Sequence, residues 1–129
     1  MICYDILTAA LRLLGEPGDA DDNHDYAERA IYIIASFIGE AREVDAKYRL
    51  AHGLDKAEIS EYVFVSLDDE FPLSERLAYP ASFYLASLLI ADESPELSES
   101  YYERYCDSIS AICASLPSHN ESITDVYYK

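Results

Sequence analysis

The fold class is decided by residues 24–53, which read HDYAERAIYIIASFIGEAREVDAKYRLAHG. Apolar residues recur there every three or four positions, as they do along one face of an α-helix. The stripe consists of Ala27, Ala30, Ile31, Ile34, Phe37, Ile38, Ala41 and Val44. Asp22 or Asn23 can cap the first turn, and Gly53 suits the end of the helix. The stretch therefore predicts one long helix that buries a single face.

The same period predicts helices on both sides of this stretch. A first helix is expected near residues 4–14, because Gly15 and Pro17 follow it as stop signals. Residues 15–23 are acidic and rich in turn formers, so they are expected to form a loop. A last helix should begin at Ser94 and Pro95, and its apolar stripe ends at Pro117.

The third helix contains a proline, and the sequence leaves its effect open. Ser74 can cap this helix, whose apolar face includes Leu77, Ala81, Leu85 and Leu89. Pro80 lies inside the span. Either the helix kinks at Pro80, or a short turn precedes a new helix that has Pro80 at its first position.

Two segments lack the helical period. Residues 61–66 are aromatic and β-branched, which is typical of a short strand that needs a pairing partner. Residues 118–129 are polar and then aromatic, and they are expected to form an extended C-terminal tail. The predicted fold is mainly α: a small bundle of four to five helices with a short β-strand or hairpin element, forming a single domain over residues 1–117.

Charge is the unusual property of the composition. The 129 residues contain 9 Lys and Arg against 25 Asp and Glu, which gives a net charge of −16 at pH 7. Such a chain repels nucleic-acid phosphates and anionic lipid, so we expect neither direct nucleic-acid binding nor membrane binding. No signal peptide is visible, and the three cysteines suit buried apolar positions in a reducing compartment, so we expect synthesis in the cytoplasm.

No common catalytic or metal-binding motif is present, and we expect no catalytic residue, no cofactor and no metal site. The loop at Asp19, Asp21 and Asn23 begins like a calcium loop, but His24 replaces the turn glycine and Ala30 replaces the bidentate glutamate. The adjacent acids at 68–70 are better explained as a solvated turn. An enzyme that uses a metal at either group of acids is the least favoured hypothesis.

Tyrosine is abundant instead, with 12 residues and no tryptophan. A tyrosine ring can bury apolar area while its hydroxyl stays at a wet boundary, which suits protein interfaces. Adjacent tyrosines on a helix diverge by about 100°, so both cannot face one core. The candidate protein-contact residues are Tyr62, Phe64, Tyr101, Tyr102, Ile123, Val126, Tyr127 and Tyr128. The tail either adds a strand to a neighbouring protein or folds back across its own domain.

Several blocks of the chain resemble a known family. These are residues 71–89 (FPLSERLAYPASFYLASLL), Glu96-Leu97-Ser98, Tyr101, Tyr105-Cys106-Asp107 and residues 123–127 (ITDVY). Together with the order of the helices, they resemble the head–tail connector (adaptor) proteins of tailed phages and prophages. The resemblance is one of helix order and of the leucine, alanine and tyrosine pattern.

The resemblance implies a virion structural protein without enzymatic activity or cofactor. It implies a homo-oligomeric ring, formed alone or only on the portal, with portal protein on one side and a neck or tail protein on the other. The location would be the virion neck, after assembly in the bacterial host cytoplasm during DNA packaging. The alternative is an acidic DNA mimic or regulatory inhibitor that occupies a basic groove of another protein.

Overall fold

The chain is mainly helical, as predicted. The computed structural model describes residues 1–18 and 22–117. The elements in chain order are α1 (Cys3–Leu13), α2 (His24–Ala51), a 3₁₀ turn (Glu75–Leu77), α3 (Ala78–Ile90) and α4 (Pro95–Ala114). One cluster of buried side chains includes residues from every helix.

The predicted boundaries of α1, α2 and α4 are confirmed to within a few residues. Gly15 and Gly53 follow α1 and α2 with φ angles of 71° and 69°, a region that only glycine adopts without strain. The start of α4 is also confirmed, since the Ser94 hydroxyl accepts a hydrogen bond from the Leu97 N–H at 3.3 Å and Pro95 is the first helical residue.

Pro80 does not kink a helix. A 3₁₀ turn precedes α3, and Pro80 is the third residue of α3, where its missing N–H costs no intrahelical hydrogen bond. The second alternative therefore holds, with Pro80 two residues later than expected. The capping role expected of Ser74 is wrong, because its hydroxyl is buried with no hydrogen-bond partner among the described residues.

Helix α3 lies at the centre of the bundle and is buried on most of its circumference. Two serines join α3 to α4. The Ser87 hydroxyl donates to the Ser98 carbonyl oxygen at 2.8 Å, and the Ser98 hydroxyl donates to the Ser87 carbonyl oxygen at the same distance. Both hydroxyls are therefore satisfied, as polar groups at a helix–helix contact generally are.

The β element is smaller than the sequence suggests and lies elsewhere. Residues 61–66 are not a strand; the β pairing among the described residues is one antiparallel bridge between Ile2 and Glu70. Around it, the N–H groups of Cys3 and Phe71 donate to the carbonyl oxygens of Asp69 and Met1, both at 2.9 Å. Residues 1–3, at the start of α1, therefore pair with residues 69–71. Residues 61–66 take no part in this pairing.

Arginines fix the loops and helix ends to the bundle. Arg29 donates to the carbonyl oxygens of Leu88 and Leu89, which are among the unpaired carbonyls at the end of α3. Arg49 bonds Asp45, a carboxylate that is only 1% exposed, through Nε at 2.8 Å. The other Asp45 oxygen accepts the Ser74 N–H at 2.8 Å, so this pair joins α2 to the segment that leads into α3.

The tail predicted for residues 118–129 lies outside the described residues, as do Asp19 and Asp21 of the calcium-like loop. Within the described ranges, none of the helices has the length and apolar character needed to cross a membrane.

Candidate protein-contact surface

Tyr62 and Phe64 are exposed to an extent that is unusual for large apolar side chains. Their exposed fractions are 74% and 78%, and their ring centroids lie 4.7 Å apart. The two rings thus contact each other while both remain open to solvent. An isolated exposed aromatic residue needs no explanation, but a contiguous pair points to a contact surface.

The backbone of this segment explains why the two rings face outward. Residues 62–67 alternate, so that Val63, Val65 and Leu67 pack against the core while Tyr62 and Phe64 point away from it. This is the period of an extended chain. However, residues 62–65 form no backbone–backbone hydrogen bond with any described residue. The segment therefore has the shape of a strand and presents backbone groups that a partner can pair with.

Arg42 of α2 holds the segment in place. Its two terminal nitrogens donate to the carbonyl oxygens of Ser60 and Glu61, at 3.0 and 3.3 Å. A guanidinium group can bind two acceptors at once because its donors are fixed in a planar fork. Arg42 is therefore the side chain that positions the exposed rings relative to α2.

A third aromatic residue extends the surface. Tyr32 of α2 is 73% exposed and lines, with Tyr62 and Phe64, a groove of about 500 Å³ between α2 and residues 61–65. We refer to Tyr32, Tyr62 and Phe64 as the aromatic cluster. The sequence reasoning missed Tyr32. The available signal was its position directly after Ile31, which places a large aromatic ring off the apolar stripe of α2.

The paired tyrosines of α4 have different environments, as adjacent helical residues must. The Tyr101 hydroxyl donates to the Leu13 carbonyl oxygen at the end of α1, and its ring stacks on Phe83 with centroids 6.5 Å apart. Tyr101 therefore joins α4 to α1 and α3. Tyr102 is 46% exposed and contacts Tyr105, so it remains available at the surface. The other candidates, Ile123, Val126, Tyr127 and Tyr128, lie outside the described residues.

A second groove lies on α1, α3 and α4. Its volume is about 650 Å³, and its walls include Ala9, Tyr79, Ser82 and Phe83. Tyr79 is 71% exposed. Arg12 and Arg104 border the groove, together with Asp5 and Glu75. We call it the arginine-edged groove. The Arg104 guanidinium lies 6.0 Å from the ring centroids of Phe83 and Tyr101, within the range of a cation–π contact.

Burial holds one thiol and three tyrosine hydroxyls in their neutral forms. Burial raises the pKa of the Cys3 thiol to about 11, and the nearby Asp69 carboxylate adds to the shift. Burial likewise raises the pKa values of Tyr84 and Tyr105, and it raises that of Tyr26 to about 12 with a contribution from its hydrogen bond to Glu93. A nucleophilic cysteine requires the opposite shift, so Cys3 has the environment of a structural residue.

Of the acids at 68–70, Asp69 stabilises the turn in which they lie. Its carboxylate accepts a hydrogen bond from the Ser66 N–H at 2.8 Å, so this side chain and the backbone both close the turn. Over residues 1–18 and 22–117, the histidines, cysteines and acids form no cluster of three or more that is arranged to hold a metal ion.

Comparison with known proteins identifies no relative. No protein-family model matches the chain, and neither a curated protein nor a solved structure is significantly similar to it.

Proposed function

We propose that this protein is a head–tail connector (adaptor) subunit of a tailed phage or prophage. In this role it docks on the portal, forms a ring in the virion neck and presents its far side to a neck or tail protein. The observation that carries the proposal is the aromatic cluster: three large rings, each more than 70% exposed, beside an extended segment without a backbone partner in the described chain.

The energetics favour protein contact as the role of this cluster. A buried aromatic side chain contributes roughly 150–250 Å² of contact area, and aromatic residues are enriched among those that dominate binding energy. Keeping three such rings in water is unfavourable unless a partner covers them. The net charge of −16 opposes non-specific association, so association is confined to specific contact surfaces such as this cluster.

The charge also suits a subunit placed around a DNA conduit. Four of the arginines, Arg12, Arg29, Arg42 and Arg49, donate hydrogen bonds to backbone carbonyl oxygens of this chain. Their cationic groups are therefore engaged in holding the fold. A surface that retains most of its negative charge repels DNA, so DNA can pass without being held.

The test is binding to a portal ring. The purified protein should co-sediment with the portal of the phage or prophage whose genes flank its own, and a Tyr62→Ser, Phe64→Ser variant should lose this binding while its thermal unfolding is unchanged. A matched control is Leu50→Ser, because Leu50 is 80% exposed but lies apart from the aromatic cluster. Equal binding by the double variant and the wild type would refute the role assigned to the cluster. A wild-type protein that never binds portal would refute the connector proposal.

A second candidate function has one observation in its favour. Glu96, Glu99, Glu103 and Asp107 are exposed and share one face of α4, which is the kind of acidic row that a DNA mimic requires. The row provides one carboxylate per about 5.5 Å of helix axis, whereas one DNA strand has a phosphate per about 3.4 Å. The row is therefore sparser than the strand it would imitate.

Salt separates the two functions. A complex held by this acidic row should weaken steeply between low and high salt, because its charge pairs are exposed and screened. A contact made by the aromatic cluster should persist at high salt. Binding of a basic nuclease or regulator that is lost in Glu99→Gln, Glu103→Gln, but kept in Tyr62→Ser, Phe64→Ser, would favour the mimic.

A further inference from the structure

The aromatic cluster and the arginine-edged groove lie on opposite sides of the bundle. Helix α3 shows this, because the two sides use opposite faces of it. Tyr84 contacts α2 through a 3.0 Å hydrogen bond between its hydroxyl and that of Ser36, while the α3 residues that line the groove are Ala78, Tyr79, Ser82 and Phe83. At 100° per residue, the mean directions of these two faces differ by roughly half a turn. The aromatic cluster lies beyond α2, on the side away from the groove.

The two surfaces also differ in the backbone that carries them. Tyr62 and Phe64 belong to a segment without a backbone partner among the described residues, whereas the walls of the arginine-edged groove come mainly from the helices α1, α3 and α4. Two different surfaces on opposite sides of one subunit are what a head-to-tail contact between copies requires. An isologous dimer would instead use one self-complementary surface.

Charge indicates where a second copy can approach. Glu58 and Glu61 accompany the exposed rings, and the nearby Arg42 is bonded to carbonyl oxygens of the same chain. On a protein of net charge −16, most surfaces would repel this acidic segment. The arginine-edged groove holds as many cations as acids, with Arg12 and Arg104 against Asp5 and Glu75. It therefore repels incoming glutamates less than the acidic surface does, and it offers them an apolar wall and the Arg104 guanidinium, which lies over the Phe83 ring.

We infer that Tyr62 and Phe64 of one subunit insert into the arginine-edged groove of a second copy, between α1, α3 and α4, and that repetition of this contact builds the ring. The inference rests on the proposed function, for which it names the subunit contact. It assigns the groove residues Ala9, Tyr79, Phe83 and Arg104 as the receptor for the exposed rings. The ring that this contact builds is the form that docks on the portal, so a variant that loses the contact also loses portal binding.

The contact is small on its own. Two aromatic side chains contribute roughly 300–500 Å², against about 800 Å² per partner in a typical stable complex. Free subunits are therefore expected to associate weakly, and a template that aligns them would complete the ring. Weak association is measurable by sedimentation at protein concentrations up to about 1 mM, where a contact of only a few kcal/mol is populated.

The experiment mixes two variants that each lose one side of the contact. The first, Tyr62→Ser, Phe64→Ser, loses the projecting rings and keeps the groove. The second, Ala9→Trp, fills the groove from an exposed position on α1 and keeps the rings. Each alone should sediment as a monomer at concentrations where the wild type associates. An equimolar mixture should form a dimer and nothing larger, because one intact contact joins the two variants. Circular dichroism melts verify that both variants fold, and Leu50→Ser should associate like the wild type.

Three results would overturn the inference: a wild type that remains monomeric up to about 1 mM, association of Ala9→Trp equal to the wild type, or no heterodimer in the mixture. The readout is independent of the portal. Self-association that follows this pattern in a protein that does not bind portal would refute the connector function and leave the subunit contact in place.

Discussion

Replacement of Asp45 by alanine should destabilise the protein strongly, because it removes an acceptor that two elements share. The carboxylate is 1% exposed and accepts the Arg49 Nε–H and the Ser74 N–H, each at 2.8 Å. Alanine leaves a cation and a backbone donor without this partner. Removing one member of a buried ion pair costs roughly 3–5 kcal/mol. Arg49 is 23% exposed and can turn partly towards water, so we expect about 3 kcal/mol, at the lower end of that range.

The assay is urea unfolding followed by circular dichroism. For a slope of about 1–3 kcal/mol/M, the midpoint should fall by roughly 1–3 M while the slope is unchanged. Asp45→Asn keeps the shape and one acceptor oxygen, so it should lose about 1–2 kcal/mol. Glu43→Ala, at an exposed position on the same helix, should change stability by less than about 0.5 kcal/mol. A loss below about 1 kcal/mol for Asp45→Ala would refute the assignment of this pair as the fastening between α2 and the start of α3.

Three further outcomes are expected. Arg42→Lys cannot bridge the carbonyl oxygens of Ser60 and Glu61, so amide hydrogen exchange in residues 58–66 should accelerate while global stability falls by only about 1 kcal/mol; unchanged exchange would contradict the positioning role. Ser74→Ala removes a buried hydroxyl that has no described partner, so urea unfolding should show equal or greater stability, and a loss above about 1 kcal/mol would mean that the hydroxyl is bonded. Stability should be complete below pH 9 and should fall as the pH rises towards about 12, because the Cys3 thiol and the tyrosine hydroxyls lose their protons at a lower pH in the unfolded chain than in the folded one. Tyr105→Phe should reduce this loss of stability, and a stability that does not change at alkaline pH would contradict the prediction.

The helices could be predicted because their signals are local. A stripe of period 3.6, a glycine that can adopt positive φ and a serine followed by proline act within one or two turns of chain. Pro80 shows the limit of such signals. The proline ring does not fit the middle of a helix, so the sequence predicts an interruption near Pro80. A local signal cannot tell a kink from a 3₁₀ turn, because that outcome depends on the packing of Leu73 and Leu77 in the core.

The β element shows a different limit. The aromatic and β-branched composition of residues 61–66 predicts a short strand, and the structure has none there. Composition cannot identify a pairing partner, because backbone pairing depends on which segment lies nearby in the folded chain. The core packing of α1 places Ile2 beside Glu70 instead, and residues 62–65 remain without a backbone partner among the described residues.

Amino-acid order and composition alone determined that this protein is an acidic helical bundle rich in tyrosine. The helical period and the turn residues are properties of neighbouring positions, and the net charge follows from composition. Only the tertiary structure decided which aromatic residues remain outside. Tyr101 is drawn inward by the Leu13 carbonyl oxygen, while Tyr32 joins Tyr62 and Phe64 at a distant point of the chain. Exposure is a property of the packed molecule, since a ring is buried only where other elements come to cover it.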